Sequence, residues 1–115
     1  MKRAQPERQL QAAVAQYLKA ALPADAFFSA LPGGDGRMTR APGYRSGLPD
    51  MMVLYKGQAI FFELKSKTGR VTQRQRDAAD HITTAGGIAW AVNSLIAVDG
   101  ILRGSGVPLR ARIAA

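Results

Sequence analysis

The sequence predicts a mixed α/β fold in which a small central sheet is flanked by helices. Three observations predict it. Apolar residues recur at helical spacing near the start, and two apolar runs in mid-chain are separated by only two residues. A capped, periodic segment then leads through Gly-Gly into a further apolar run. With 115 residues the chain can bury one modest core, so it is read as a single domain, 1–115.

Residues 6–22 read as an amphipathic helix. Pro6 suits the first turn, Leu10, Ala13, Val14, Tyr17, Leu18 and Ala21 form one stripe, and Pro23 is a stop. Phe27 to Leu31 read as a short strand. Residues 32–49, PGGDGRMTRAPGYRSGLP, have no period and are rich in Gly and Pro. A loop that long is either functional, its glycines bringing backbone close to a phosphate, or a mobile linker. Met51–Tyr55 and Gln58–Leu64 read as a hairpin turning at Lys56-Gly57; both faces are apolar, which predicts a central pair covered on both sides. Thr72 caps a helix to Ala85 with Ala78, Ala79, Ile82 and Ala85 as its buried stripe. Ile88–Val92 read as a strand with Trp90 in the core, and Ser94 caps a last helix to Arg103. The tail from Gly104 reads as irregular and frayed. The order is α-β-β-β-α-β, with the last helix after it.

Composition narrows the function. Sixteen Lys and Arg against eight Asp and Glu give a formal charge of +8, which points to a polyanionic partner, nucleic acid first. No Cys and a single His remove disulfide scaffolds, zinc fingers and cysteine nucleophiles, and fit a reducing compartment. Without an apolar leader or a membrane-length apolar run, a soluble, cytoplasmic protein is expected.

Only two acids are Glu, and one, Glu63, sits inside the apolar run IFFEL, where a carboxylate is costly unless paired, hydrogen-bonded or metal-bound. A two-residue turn at Lys56-Gly57 pairs Tyr55 with Gln58, and the same register sets Asp50 opposite Glu63. Lys65, two residues on, projects from the same face. Two carboxylates at that spacing repel one another. A divalent cation relieves the repulsion, and oxygen-only ligands favour Mg²⁺ or Mn²⁺; such an ion with Lys65 beside it is equipment for phosphodiester hydrolysis. The same residues equally make a buried ion pair with Lys65.

The GLPD at 47–50 and ELK at 63–65, with Glu7 early in the first helix, the Gly-rich loop before GLPD, the link SKTGRVT and Gln75 near the start of the next helix, resemble the PD-(D/E)XK nuclease superfamily, and within it the virus-type replication-repair nuclease (VRR-NUC) domains. The resemblance covers about residues 6–103. It implies a restriction-endonuclease-like core and Mg²⁺- or Mn²⁺-dependent cleavage of DNA by an endonuclease. It implies Asp50, Glu63 and the backbone carbonyl of Leu64 as metal ligands. Lys65 would orient the attacking water, Glu7 would contact metal-bound water or a second metal, and Gln75 would orient the Lys65 side. Small stand-alone members look like homodimeric resolvases of branched DNA such as Holliday junctions, encoded by bacteria or phages.

Arg37, Arg40, Arg45, Lys67, Arg70, Arg74 and Arg76 flank the acids in sequence and are read as phosphate contacts, with Tyr44 stacking on an exposed base; the alternative is a generally solvated basic surface. His81 is read as exposed and without a catalytic role. The rival functions are a non-catalytic DNA-binding module and a ribonuclease on the same fold.

Overall fold

The computed structural model describes residues 5–31 and 41–111. Seven elements follow in the order α1 (Gln5–Ala21), β1 (Phe27–Ala30), β2 (Met51–Tyr55), β3 (Gln58–Leu64), α2 (Gln73–Thr84), β4 (Ile88–Val92) and α3 (Leu95–Gly104). The strands form one mixed sheet, β1-β2-β3-β4, antiparallel from β1 to β3 and parallel between β3 and β4. The α-β-β-β-α-β order and the flanked mixed sheet are those read from the sequence.

The β2–β3 register is the expected one, from Tyr55 opposite Gln58 to Met51 opposite Phe62. Its turn residues Lys56 (φ 49°) and Gly57 (φ 80°) are both left-handed, as a two-residue turn matching strand twist requires. Lys56 Nζ also lies 2.9 Å from Asp25 Oδ2, tying the turn to the start of β1.

Alternation along β2 and β3 sends Met51, Val53, Ile60, Phe62 and Leu64 to one face, where all are buried. Val14 and Leu18 from α1, Leu22 just after it, and Val98 and Leu102 from α3 close over them as a single apolar cluster. Tyr17 Oη donates to Asp99 and Arg103 Nε donates to Asp99 Oδ1 at 2.8 Å, linking α1 and α3 across this layer. α2 lies on the opposite face, against β4.

Four expectations need correction. Trp90 is 55% exposed, because β4 is the sheet's edge strand and has a neighbour on one side only. The second face of the hairpin is only partly covered: α2 sits over β4, so the paired Leu54 and Phe27 stay exposed. Ala85 is exposed as the C-cap of α2, and Ala78 alone of the predicted stripe is fully buried. The segment after Gly104 is anchored: Val107 is buried, Arg110 N–H donates to Ala21 C=O at 2.7 Å, and Arg103 Nη2 donates to Ala111 C=O at 3.0 Å. Among the described residues no helix is long and apolar enough to cross a membrane.

Candidate active site

The hairpin ladder becomes irregular at its open end. Asp50 N–H donates to Phe62 C=O at 2.9 Å, while the Leu64 N–H is taken by the Asp50 side chain, Oδ2, at 2.7 Å. Pro49, which has no N–H, cannot donate the next ladder bond to β3. Asp50 is thereby fixed on the last turnless residues of β3 by a short, charge-assisted bond. On the far side of β3, Lys65 N–H donates to Val92 C=O at 2.9 Å, so the strand's end is held from both flanks.

Glu63 points to the α2 face and is 8% exposed, lining a small cavity with Pro49, Val71, Gln75 and Ala79. Its Oε2 accepts from Gln75 Nε2 at 2.9 Å and lies 3.6 Å from Lys65 Nζ. Gln75 is itself oriented. It is the third residue of α2, and Thr72 and Gln75 form a capping box: Gln75 N–H donates to Thr72 Oγ1 at 3.2 Å, and Thr72 N–H donates to Gln75 Oε1 at 2.9 Å. A backbone N–H needs an acceptor, so the amide must present Oε1 to Thr72 and Nε2 to Glu63. Helix initiation and the orientation of a buried carboxylate thus use the same side chain.

Glu7, in the first turn of α1, reaches the same end of β3. A Cβ built on Gly69 would lie 2.8 Å from Glu7 Oε2, 3.2 Å from Ser66 Oγ and 3.4 Å from Lys65 Cδ. Gly69 therefore leaves the space through which the α1 carboxylate meets the Lys65 stem. Gly47 plays a similar part on the other side. At φ +81° its Cβ would stand 2.3 Å from Arg74 C=O, so the loop before β2 rests directly on the first turn of α2. Neither contact was legible from composition; a glycine beside each motif was the only signal.

Asp50, Glu63, Lys65, Gln75 and Glu7 thus meet around residues 63–65. The oxygen donors here are the two carboxylates of Asp50 and Glu63 and the Leu64 carbonyl. N–H and C=O of one strand residue point the same way, so that carbonyl faces the side on which Asp50 lies. Among the described residues no three His, Cys, Asp or Glu side chains group to hold a metal; the donors at the end of β3 are two carboxylates and one main-chain oxygen.

The basic residues divide. Lys67, Arg70 and Arg74 are exposed. Arg76 donates to Val71 C=O at 2.9 Å and to Gln73 Oε1 at 3.3 Å, serving its own helix start. Arg45 Nη1 lies 2.8 Å from His81 Nδ1. Tyr44 is half-buried, its N–H donating to Ala41 C=O at 3.0 Å. Arg37 and Arg40 lie outside the described residues.

No family model matches the chain, and no curated protein matches it. Solved structures do. One, a "VRR_NUC domain", superposes with a TM-score of 0.62 at 22% identity, covering 87% of this chain and 97% of its own. Another, a "VRR_NUC domain protein", gives a TM-score of 0.64 at 15% identity and covers 84% of each chain. The fold of this chain is that of a VRR-NUC domain.

Proposed function

We propose that this chain is a single-domain, divalent-metal-dependent endonuclease that hydrolyses DNA phosphodiester bonds. The observation that carries the reading is the convergence on residues 63–65: a buried glutamate held by an oriented amide, a lysine 3.6 Å from it, and an aspartate bonded to the intervening residue. The VRR-NUC fold supports it.

The donor chemistry fits a hard cation, Mg²⁺ or Mn²⁺, which Asp50, Glu63 and the Leu64 carbonyl would hold. When bound, such an ion supplies charge stabilisation at a phosphate oxygen and lowers the pKa of a coordinated water. The rest falls to the side chains. Lys65, kept beside Glu63, orients the attacking water and offsets negative charge developing on the phosphate. Gln75 holds Glu63 in one rotamer, so the carboxylate need not be ordered as substrate arrives. Glu7, on the α1 side beside Gly69, would contact metal-bound water or a second metal. The basic residues around the site bind phosphates away from the cut.

A protein with one such site cuts both strands of a two-fold substrate most simply as a homodimer, and branched DNA such as a four-way junction is the substrate this predicts. A cytoplasmic setting follows from the absence of cysteine in a basic, DNA-directed chain. The test is digestion of matched linear, flapped and four-way-junction DNA, and of RNA of the same sequence, with Mg²⁺, Mn²⁺ or EDTA. Cleavage of DNA only with metal is expected. Tight DNA binding with no cleavage under any metal would leave a binding module, and preferential cleavage of RNA would make the chain a ribonuclease.

A further inference from the structure

Arg45 and Arg74 are brought to one place by the loop before β2. Gly47 seats that loop on the first turn of α2, and Arg45, Ser46, Arg74 and Asp77 line an open notch there. Arg45 does not sample this notch freely. Its Nη1 lies 2.8 Å from Nδ1 of His81, 36 residues away on the same helix face as the loop. A guanidinium has donors only, so the imidazole nitrogen must accept: the ring in this contact is neutral, with its proton on Nε2. The bond uses one of five guanidinium N–H donors and leaves the others available.

We infer that His81 is a positioning residue: it holds the Arg45 guanidinium against α2 as a fixed contact for a DNA backbone phosphate flanking the cut. This rests on the nuclease reading above and names part of its substrate contact. Six residues of helix separate His81 from Gln75, about 9 Å at 1.5 Å per residue. The contact therefore lies along α2 from the amide that orients Glu63, beside the site rather than at it. An arginine is a long, mobile side chain, and fixing it before the phosphate arrives removes ordering cost from binding. Asp77 is the acid of the notch. Its Oδ1 accepts from Gln73 Nε2 at 2.8 Å, which turns it toward its own helix, and the notch keeps a net positive charge.

The experiment is binding of a short fluorescein-labelled DNA duplex by the full chain in EDTA, followed by anisotropy across a salt series. Arg45→Ala should weaken binding and reduce the log–log salt slope by about 1. His81→Ala should weaken it about 3- to 10-fold, the range for freeing one immobilised side chain. In an Arg45→Ala background His81→Ala should add nothing, and His81→Gln, whose amide oxygen also accepts, should restore affinity. An undiminished loss in that background, a His81→Gln variant no better than His81→Ala, or wild-type affinity in His81→Ala each overturns the inference. In those cases the wild-type chain still binds and cleaves DNA, and the nuclease reading stands. Failure of the wild-type chain to bind the duplex removes the basic surface itself, and this subsite with it.

Discussion

Asp50 carries two duties that one pair of substitutions can separate. Its Oδ2 is the acceptor, at 2.7 Å, for the N–H of Leu64, a fully buried residue. In Asp50→Ala that donor loses this acceptor, and a buried donor deprived of its partner costs about 1–3 kcal/mol. In Asp50→Asn the amide oxygen still accepts. The bond weakens because its acceptor is no longer charged, while repulsion toward Glu63 is relieved, and the two changes oppose each other within about 1 kcal/mol. At a few degrees per kcal/mol for a domain of this size, Asp50→Ala should melt roughly 4–10 °C lower than wild type, with Asn within a few degrees of it. Both should abolish cleavage, since neither retains a carboxylate. The measurements are metal-free thermal or urea melts beside a cleavage assay. Asn as destabilised as Ala would show that the charge, not the acceptor, holds β3. An undestabilised Ala variant would show that the Leu64 contact contributes nothing to the fold.

The other expectations are briefer. Glu63→Gln and Lys65→Ala should abolish cleavage with DNA affinity largely intact, and affinity should fall with salt at a log–log slope of about −4 to −5 for roughly 4–6 phosphates; unchanged cleavage removes both residues from the mechanism. Gln75→Glu keeps a good capping-box residue but sets a carboxylate against the nearly buried Glu63 Oε2; activity should drop sharply and the melting temperature should fall with it, and Thr72→Ala should cost about 1 kcal/mol of stability. Gly69→Ala should displace the Glu7 carboxylate and lower turnover more than DNA affinity; if cleavage is untouched, Glu7 has no part in it. Tyr17 is pushed up to about 12 by burial and by its hydrogen bond to Asp99. The folded state therefore keeps the phenol proton over a range where the unfolded chain loses it, so this contribution is full below pH 10 and declines from 10 to about 12. That decline should be absent from Tyr17→Phe.

What the sequence made legible is local or set by a strict period. A two-residue turn allows one hairpin register, and from it follow Asp50 and Glu63 at one end of the hairpin. Thr72 three residues before Gln75 is readable as a helix start. Contacts across long separations are not readable in this way. Arg45 meets His81 36 residues on, and Glu7 of α1 comes beside Gly69 in the link after β3; no periodicity encodes either. Trp90 was misplaced for a related reason. IAWAV reads the same in a central and an edge strand, and only the strand order reveals that β4 closes the sheet. The tail looked frayed because Gly104, Gly106 and Pro108 interrupt any pattern. Yet Val107 needs no helix or strand to bury itself, only the gap left by α1 and α3.

On the proposed nuclease reading, the arrangement explains why the chemistry is set at the end of β3 rather than along it. Within the sheet every N–H and C=O of a central strand is committed to its neighbours, and a carboxylate there has only side chains to answer it. At residues 63–65 the two neighbours part: β2 leaves through Pro49, while β4 still binds the Lys65 N–H. On the β2 side the Asp50 side chain, rather than a strand carbonyl, takes the Leu64 N–H. The fold positions the acids by the same bonds that terminate its ladder. Stability and activity are therefore coupled at Asp50 and Gln75, each of which satisfies a backbone N–H and serves the site. Lys65 is coupled as well: its main chain completes the sheet, and its ammonium lies 3.6 Å from the nearly buried Glu63 carboxylate, so removing it deprives that charge of a countercharge. A cleavage-dead chain of undiminished stability is accordingly to be sought at Glu63→Gln, which removes the buried charge and keeps an acceptor for Gln75, and not at Asp50→Ala.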